Sequence, residues 1–194
     1  MKAGIIGGTF DPIHVGHLIC ADFVRENQNL DRIIFLPAST PPHKLDKKIS
    51  RNKQRLIMLR KAVEDNPYFD VNDYEINKGG VSFTIESVRH FKQNTEHSNT
   101  EFFLIIGADN LVGFKSWKNP DQLLDEMKVL VLRRPGVDIT NIKKPFIQQM
   151  KFINSPLIDI SSSDIRQRIK VHKSIKYLVP KEVEKYIYKK GLYC

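Results

Sequence analysis

The sequence has 194 residues, enough to bury a hydrophobic core, and we expect a single domain over residues 1–194. Its formal charge of +9 favours polyanionic ligands. Because the basic residues form no continuous block, small phosphorylated molecules fit at least as well as nucleic acid, which we do not expect as a partner. Two cysteines exclude a disulfide framework, and the longest apolar run is too short to cross a membrane, so we expect a cytoplasmic protein without a membrane partner.

Apolar runs of strand length alternate with amphipathic helical stretches along most of the chain. Strands are predicted at residues 3–7, 33–36, 69–76, 102–106 and 128–132. Helices are predicted between them, at residues 18–28, 52–65, 84–92 and 120–126. This alternation predicts an α/β fold with a doubly wound, mostly parallel sheet, whose ligand binds outside the carboxyl ends of the strands.

The C-terminal part departs from this alternation. Two helices are predicted at residues 160–171 and 180–190, which gives a helical C-terminal subregion at about 160–194. Pro180 suits the start of the second helix, and Gly191 suits the position just after its end.

The first predicted strand is followed directly by the run GGTFDPIHVGH. A glycine-rich turn between a strand and a helix offers backbone amides to a phosphate, as expected for Gly8, Thr9 and Phe10. His14 and His17 are three positions apart, so on a helix they lie on one face and can reach the same ligand. No third ligand stands at helical spacing beside them, so we do not expect a protein metal site.

A second candidate anion site is the run ISSSDIR near the C-terminus. Ser162 and Ser163 supply hydroxyls and amides at a helix start, and Arg166 follows one turn later. The alternative is that Ser161–Ser163 form only an N-cap and that Arg166 is an exposed helix residue.

Together, these two runs resemble the signature motifs of the nucleotidyltransferase superfamily named for its His-x-Gly-His sequence, with Ser163 where threonine is usual. Further stretches are similar to bacterial nicotinate-nucleotide adenylyltransferases and extend the resemblance over nearly the whole chain. They are PPHK at 41–44, GGVSFTIES at 79–87, IGADN at 106–110 with the lone Trp117, RRPG at 133–136 and the C-terminal stretch 179–193. Phe83 and Glu86 depart from that family's Ser-Tyr-Thr-x-Asp-Thr pattern.

The resemblance implies transfer of AMP from ATP to nicotinate mononucleotide, giving deamido-NAD and pyrophosphate. The ATP contacts it implies are Gly8, Thr9, Phe10, His14, His17, Gly107, Asp109, Ser162, Ser163 and Arg166. The implied catalytic residues are His14, His17, Lys44 and Arg166, with His17 at the α-phosphate. The implied acceptor contacts are Lys44, the Thr84 amide for the carboxylate, and Trp117 for the pyridine ring. The implied cofactor is Mg²⁺, held mainly by the ATP phosphates.

Two other interpretations stay open from the sequence. Phosphopantetheine adenylyltransferases share the first motif, but that family usually has threonine at the position of His14 and lacks the segment from Asp109 to Trp117. A nucleotide-binding regulator would bind ATP without turnover. Both phosphate motifs are complete in residue type, which favours an enzyme over a regulator.

Overall fold

The strands of the computed structural model form one all-parallel sheet. The structure describes residues 1–42, 49–93, 99–133, 136–137 and 144–194. Within these residues the sheet has six strands in the order β3-β2-β1-β4-β5-β6, and every neighbouring pair is parallel. The strands are β1 Lys2–Gly8, β2 Arg32–Pro37, β3 Phe69–Val71, β4 Glu101–Gly107, β5 Lys128–Leu132 and β6 Met150–Ile153. The predicted doubly wound α/β fold is confirmed.

Helices cover both faces of the sheet. They are α1 Val15–Asn27, α2 Asn52–Val63, α3 Tyr74–Lys78, α4 Thr84–Gln93, α5 Ala108–Leu111, α6 Pro120–Glu126, α7 Lys144–Gln148, α8 Ser162–Lys170 and α9 Lys181–Lys189, with a 3₁₀ turn at Phe114–Ser116. None of the described helices has the length and apolar composition that a membrane span requires.

Successive residues of a strand point to opposite faces, and here both faces are buried. On β2, Ile33 and Phe35 pack beneath α1, α2, α8 and α9. Ile34 and Leu36 point the other way and pack with α4, α5 and α6. The two cores explain why β2 reads as a continuous apolar run and not as an alternating one.

The order of the strands places a crevice at one edge of the sheet. The chain proceeds from β1 to β2 and β3 on one side, then returns to pair β4 with the other side of β1. Ligands of open α/β sheets bind at this reversal, outside the carboxyl ends of the strands. Here β1 ends at Gly8 and β4 ends at Gly107. Both glycines are among the predicted ATP contacts.

The predicted strand at 69–76 is wrong after Val71. The side chain of Asn72 accepts a hydrogen bond from the backbone N–H of Tyr74 (2.9 Å), which turns the chain into α3. The short elements β6, α3, α5 and α7 have no counterpart among the predicted ones, and α1 begins at Val15, three residues before its predicted start.

Candidate active site

The turn after β1 is shaped by a phenylalanine that folds back over the chain. Phe10 has φ +49° and is buried at 3 % exposure. A Cβ on Gly8 would lie 2.9 Å from its ring, so this position accepts only glycine without rearrangement. The peptide bond between Asp11 and Pro12 is cis. The side chain of Phe10 belongs to the buried core, where its ring packs against that of Phe35.

The two histidines are in contact at the start of α1. Their rings stack with centroids 3.6 Å apart, and the backbone N–H of His14 donates to Nδ1 of His17 (3.3 Å). Because Nδ1 accepts, the proton of the neutral His17 ring is on Nε2. His14 is only 2 % exposed and its ring lies 3.1 Å from where a Cβ on Gly16 would be, so a larger residue at position 16 would crowd the ring. His17 is the more accessible of the two rings.

The second predicted anion site lies directly against the first turn. Ser162, the first residue of α8, donates from its hydroxyl to the carbonyl of Pro12 (2.8 Å). Arg166 donates from Nη1 to the carbonyl of Asp11 (2.7 Å) and from Nη2 to Ser163 Oγ (3.2 Å). The fold therefore brings together the two motifs at the carboxyl edge of the sheet.

The N-cap interpretation of the second motif holds for Ser161, whereas Arg166 is partly buried and not the exposed helix residue that this interpretation expects. Ser161 Oγ accepts the backbone N–H of Asp164 (3.1 Å), which satisfies one of the unpaired amides of the first turn of α8. Because Ser161 performs this function, Ser163 stays exposed at the helix start beside Arg166.

A buried arginine that the sequence did not single out supports the loops that follow β1 and β2 at this edge of the sheet. Arg55 on α2 has no exposed surface. It donates to the carbonyls of Thr9 (2.6 Å), Ala38 (2.6 Å), Ser39 (3.1 Å) and Ser50 (3.1 Å) and to Asn52 Oδ1 (2.6 Å). Burial lowers the pKa of its guanidinium, and the nearby charge of Asp11 opposes that shift. The available signal was a charged residue within the apolar stripe of α2.

Asp11 is a second residue that the sequence analysis left without a role. Its carboxylate is 5 % exposed and accepts the hydroxyl of Tyr193 (2.7 Å) and the backbone N–H of Ser50 (3.2 Å). These contacts connect the first turn to the C-terminal end of the chain, and no local sequence pattern indicates them.

The predicted acceptor residue Thr84 is the first residue of α4. The loop before it is fixed to the carboxyl end of β2: Ser82 donates its N–H to the carbonyl of Thr40 (3.0 Å), and its hydroxyl accepts the N–H of Ser39 (2.9 Å). Gly79 and Gly80 have φ of +70° and +66°, which glycine adopts without strain. The amide of Thr84 thus lies at the positive end of a helix on the crevice side of the sheet.

Trp117 follows the 3₁₀ turn and is half-buried. Its ring lies 5.2 Å from that of Phe114, and it packs against the same apolar cluster as Phe83. Lys118 connects the two predicted acceptor segments, because its Nζ lies 4.5 Å from the ring centroid of Phe83 and 2.6 Å from a carboxylate oxygen of Glu86. Phe83 packs against this cluster beside Trp117.

Glu86 joins three segments around the predicted acceptor site. Its carboxylate accepts from Lys118 and also from Lys78 at the end of α3. These two hydrogen bonds lower the pKa of Glu86, that from Lys118 most. Glu86, at a position where the nicotinate-nucleotide adenylyltransferase pattern has aspartate, therefore connects α4 to Lys78 and Lys118.

The remaining predicted residues differ in how far the structure defines them. Helix α5 begins directly after Gly107, and Asp109 lies in its first turn, exposed at the crevice edge. Lys44 lies outside the described residues. Among the described residues, no group of three or more His, Cys, Asp or Glu side chains is arranged to hold a metal ion.

Comparison with known proteins gives three kinds of match. The family described as cytidylyltransferase-like matches residues 5–168. A probable nicotinate-nucleotide adenylyltransferase of Thermoanaerobacter sp. (strain X514) is 39 % identical over 200 aligned residues, covering 100 % of this chain and 94 % of the relative. One of Dictyoglomus turgidum is 40 % identical, covering 100 % of this chain and 96 % of the relative.

The solved structures add evidence about the fold. Plasmodium falciparum nicotinic acid mononucleotide adenylyltransferase complexed with NaAD superposes with a TM-score of 0.81 at 22 % identity, over 99 % of this chain and 97 % of that chain. The same Plasmodium protein complexed with APC gives a TM-score of 0.79. At this identity the match supports the fold alone.

Proposed function

We propose a reaction for this chain from its family: it belongs to the cytidylyltransferase-like family and, within it, to the nicotinate-nucleotide adenylyltransferases. The proposed reaction is the transfer of AMP from ATP to nicotinate mononucleotide. The products are nicotinate adenine dinucleotide (deamido-NAD) and pyrophosphate. The observation that carries the proposal is the contact between Arg166 and Asp11, which joins two phosphate-binding motifs into one site. We also propose that the reaction takes place in the cytoplasm, with no nucleic acid as a partner.

The chemistry requires little beyond positioning and charge stabilisation. An oxygen of the acceptor phosphate attacks the α-phosphorus of ATP, and the bond from that phosphorus to the bridging oxygen of the β-phosphate breaks. A phosphate is already nucleophilic at neutral pH, so no general base is needed. What the enzyme must supply is an in-line arrangement of two anions and donors for the charge that develops.

We assign the donor side of the site to the two motifs. The Nε2–H of His17 is directed to the α-phosphate, supported by the ring of His14. Ser163 and Arg166 bind the β- and γ-phosphates together with the amides at the start of α8. The hydroxyl of Ser162 is not assigned to a phosphate, because it already donates to the carbonyl of Pro12. Asp109 accepts from the ribose hydroxyls, as suits an acidic residue after a strand end.

We assign the acceptor side to the segments joined by Glu86. The Thr84 amide and the dipole of α4 favour a carboxylate over a neutral carboxamide, which favours nicotinate mononucleotide over its amidated counterpart. The ring of Trp117 provides a stacking surface for the pyridine. Lys44 is assigned between the donor and acceptor phosphates, because a lysine ammonium group can neutralise charge on both.

Mg²⁺ is the proposed cofactor, and the donor set of the described residues fits an ion bound mainly by ATP. The crevice offers amides, imidazoles, hydroxyls, a guanidinium and the carboxylate of Asp109, but no cluster of carboxylates among the described residues. Mg²⁺ prefers oxygen ligands and retains several waters, so ATP would supply most of its ligands other than water. Bound to the triphosphate, it would neutralise the negative charge of the leaving pyrophosphate. In this chain His17 and Arg166 would then share only the remaining charge.

The test is release of pyrophosphate by the purified protein. With ATP and Mg²⁺, release is expected when nicotinate mononucleotide is added and not in its absence. Binding of ATP without release in the presence of any acceptor would instead support a nucleotide-binding regulator, and release with phosphopantetheine alone would support the other adenylyltransferase family.

A further inference from the structure

We propose that Tyr193, which follows α9, is a positioning residue for the ATP-phosphate turn, so that the segment 191–194 belongs to the framework of the active site. This inference deepens the proposed function and rests on it for the identity of the ligand. It assigns Tyr193 no contact with substrate, because its hydroxyl acts through Asp11.

The local sequence explains how the end of the chain reaches the site. Gly191 follows α9 with φ +56°, and its N–H donates to the carbonyl of Tyr188 (3.2 Å). The next amide, that of Leu192, donates to the carbonyl of Ile187 (3.1 Å). These two bonds form a Schellman motif, which reverses the chain at the end of a helix and returns the following apolar residue to the core. Leu192 is accordingly 8 % exposed, and Tyr193 is directed at the first turn.

The contact that results is buried and charged at one end. Tyr193 donates to Oδ1 of Asp11 over 2.7 Å, and the other carboxylate oxygen accepts the N–H of Ser50 (3.2 Å). Burial, followed by the charge of Asp11, raises the pKa of the Tyr193 hydroxyl well above its ordinary value. The hydroxyl therefore remains a donor throughout the physiological pH range.

Asp11 links this contact to the predicted triphosphate site. Its carboxylate is held by Tyr193, and the carbonyl of the same residue accepts Nη1 of Arg166 (2.7 Å). The carbonyl of the next residue, Pro12, accepts the hydroxyl of Ser162 (2.8 Å). A rotation of Asp11 would therefore move the acceptors that orient both residues. By this reasoning, loss of the Tyr193 hydroxyl disturbs ATP binding more than acceptor binding.

The test compares two tyrosine-to-phenylalanine variants of the full-length chain. Tyr193→Phe removes the hydroxyl that bonds to Asp11, whereas Tyr186→Phe removes one from a half-buried tyrosine of α9 that also packs against the core. Steady-state kinetics gives the KM for ATP and for nicotinate mononucleotide separately, and calorimetry gives the Kd of a non-hydrolysable ATP analogue.

We expect Tyr193→Phe to raise both the KM for ATP and the Kd of the analogue about tenfold, because the carbonyls of Asp11 and Pro12 would no longer hold Arg166 and Ser162 in place for the phosphates. The KM for the acceptor should stay within about twofold, and Tyr186→Phe should match the wild-type protein. Equal changes in both KM values, or a Tyr193→Phe variant that binds the analogue like wild type, would overturn the inference.

The two failures can be told apart. If the wild-type protein releases no pyrophosphate with nicotinate mononucleotide, the proposed function fails, but the Kd of the ATP analogue still tests Tyr193. Asp11→Asn provides a second route if Tyr193→Phe does not fold. Its amide oxygen can still accept the Tyr193 hydroxyl, but its NH2 group then faces the N–H of Ser50 and the charge is lost. A rise in the same Kd is therefore expected, and no rise would contradict the inference.

Discussion

The rings of His14 and His17 stack with centroids 3.6 Å apart, and the backbone N–H of His14 donates to Nδ1 of His17. One histidine therefore fixes both the orientation and the tautomer of the other. The ring of His14 is buried at the helix start, whereas the more accessible His17 carries the N–H donor that we assign to the α-phosphate. The division of roles between the two residues follows from their difference in burial.

His17→Asn removes the Nε2–H donor of His17 but keeps an acceptor for the backbone N–H of His14. Asparagine can still accept from His14 near the position of Nδ1, but it has no group at the position of Nε2. We expect kcat/KM to fall by about 10²–10³, as for loss of one preorganised transition-state donor, with the melting temperature nearly unchanged. The control is His172→Asn, at an exposed residue with φ +55° that asparagine tolerates. Equal activity of the two variants would refute the role of His17.

Arg55→Met tests whether the buried guanidinium holds the loops of the site. The variant leaves the carbonyls of Thr9 and Ala38 without their donor inside the protein, so we expect the free energy of unfolding to fall by about 3 kcal/mol or more. Arg60→Met on the same helix is the matched control, because Arg60 is exposed and pairs with Asp73 at the surface. Its loss should be under about 1 kcal/mol. Urea denaturation measures both, and similar values would contradict this account of Arg55.

The lone Trp117 makes acceptor binding directly visible. Stacking of a pyridine ring on the indole should change its fluorescence, and the protein has no other tryptophan to obscure the signal. We expect saturable quenching on titration with nicotinate mononucleotide and a much smaller change with ATP. Trp117→Phe should raise the KM for the acceptor while the KM for ATP stays constant. Quenching by ATP alone would move Trp117 to the donor side.

The hydroxyl of Tyr193 gives stability a specific pH dependence. Its pKa is raised above the ordinary value of 10.0, so the folded protein holds this proton more tightly than the unfolded chain. The contribution is complete below pH 10.0 and decreases as the pH rises above that value, because the unfolded tyrosine then loses its proton first. The difference in unfolding free energy between wild type and Tyr193→Phe should therefore be constant from neutral pH to about 9 and shrink above 10. A constant difference at every pH would contradict the raised pKa.

The parts of the molecule that depend on local pattern could be predicted from the sequence. The continuous apolar runs of β2 and β4 indicate strands buried on both faces, and the structure has them there. The same holds for Gly191, whose place after a helix predicts a C-cap. The meeting of the two phosphate motifs followed only from the resemblance, because residues 155 positions apart contact each other through the fold.

The parts that depend on long-range contacts could not be predicted. Arg55 interrupts the apolar stripe of α2, but only the structure shows that backbone carbonyls from two loops surround it. The link from Tyr193 to Asp11 spans 182 positions and has no periodic signal. The strand predicted at 69–76 ends early, at Val71, because the side chain of Asn72 accepts the N–H of Tyr74 and turns the chain into α3.

The most direct test of the central claim is a competition between acceptors in one reaction. The protein is incubated with ATP, Mg²⁺ and equal concentrations of nicotinate mononucleotide, nicotinamide mononucleotide and phosphopantetheine, and the adenylylated products are separated and identified by mass. The account predicts nicotinate adenine dinucleotide as the main product, in amounts equal to the pyrophosphate released. A majority of adenylylated phosphopantetheine, or ATP bound with no dinucleotide formed, would contradict it.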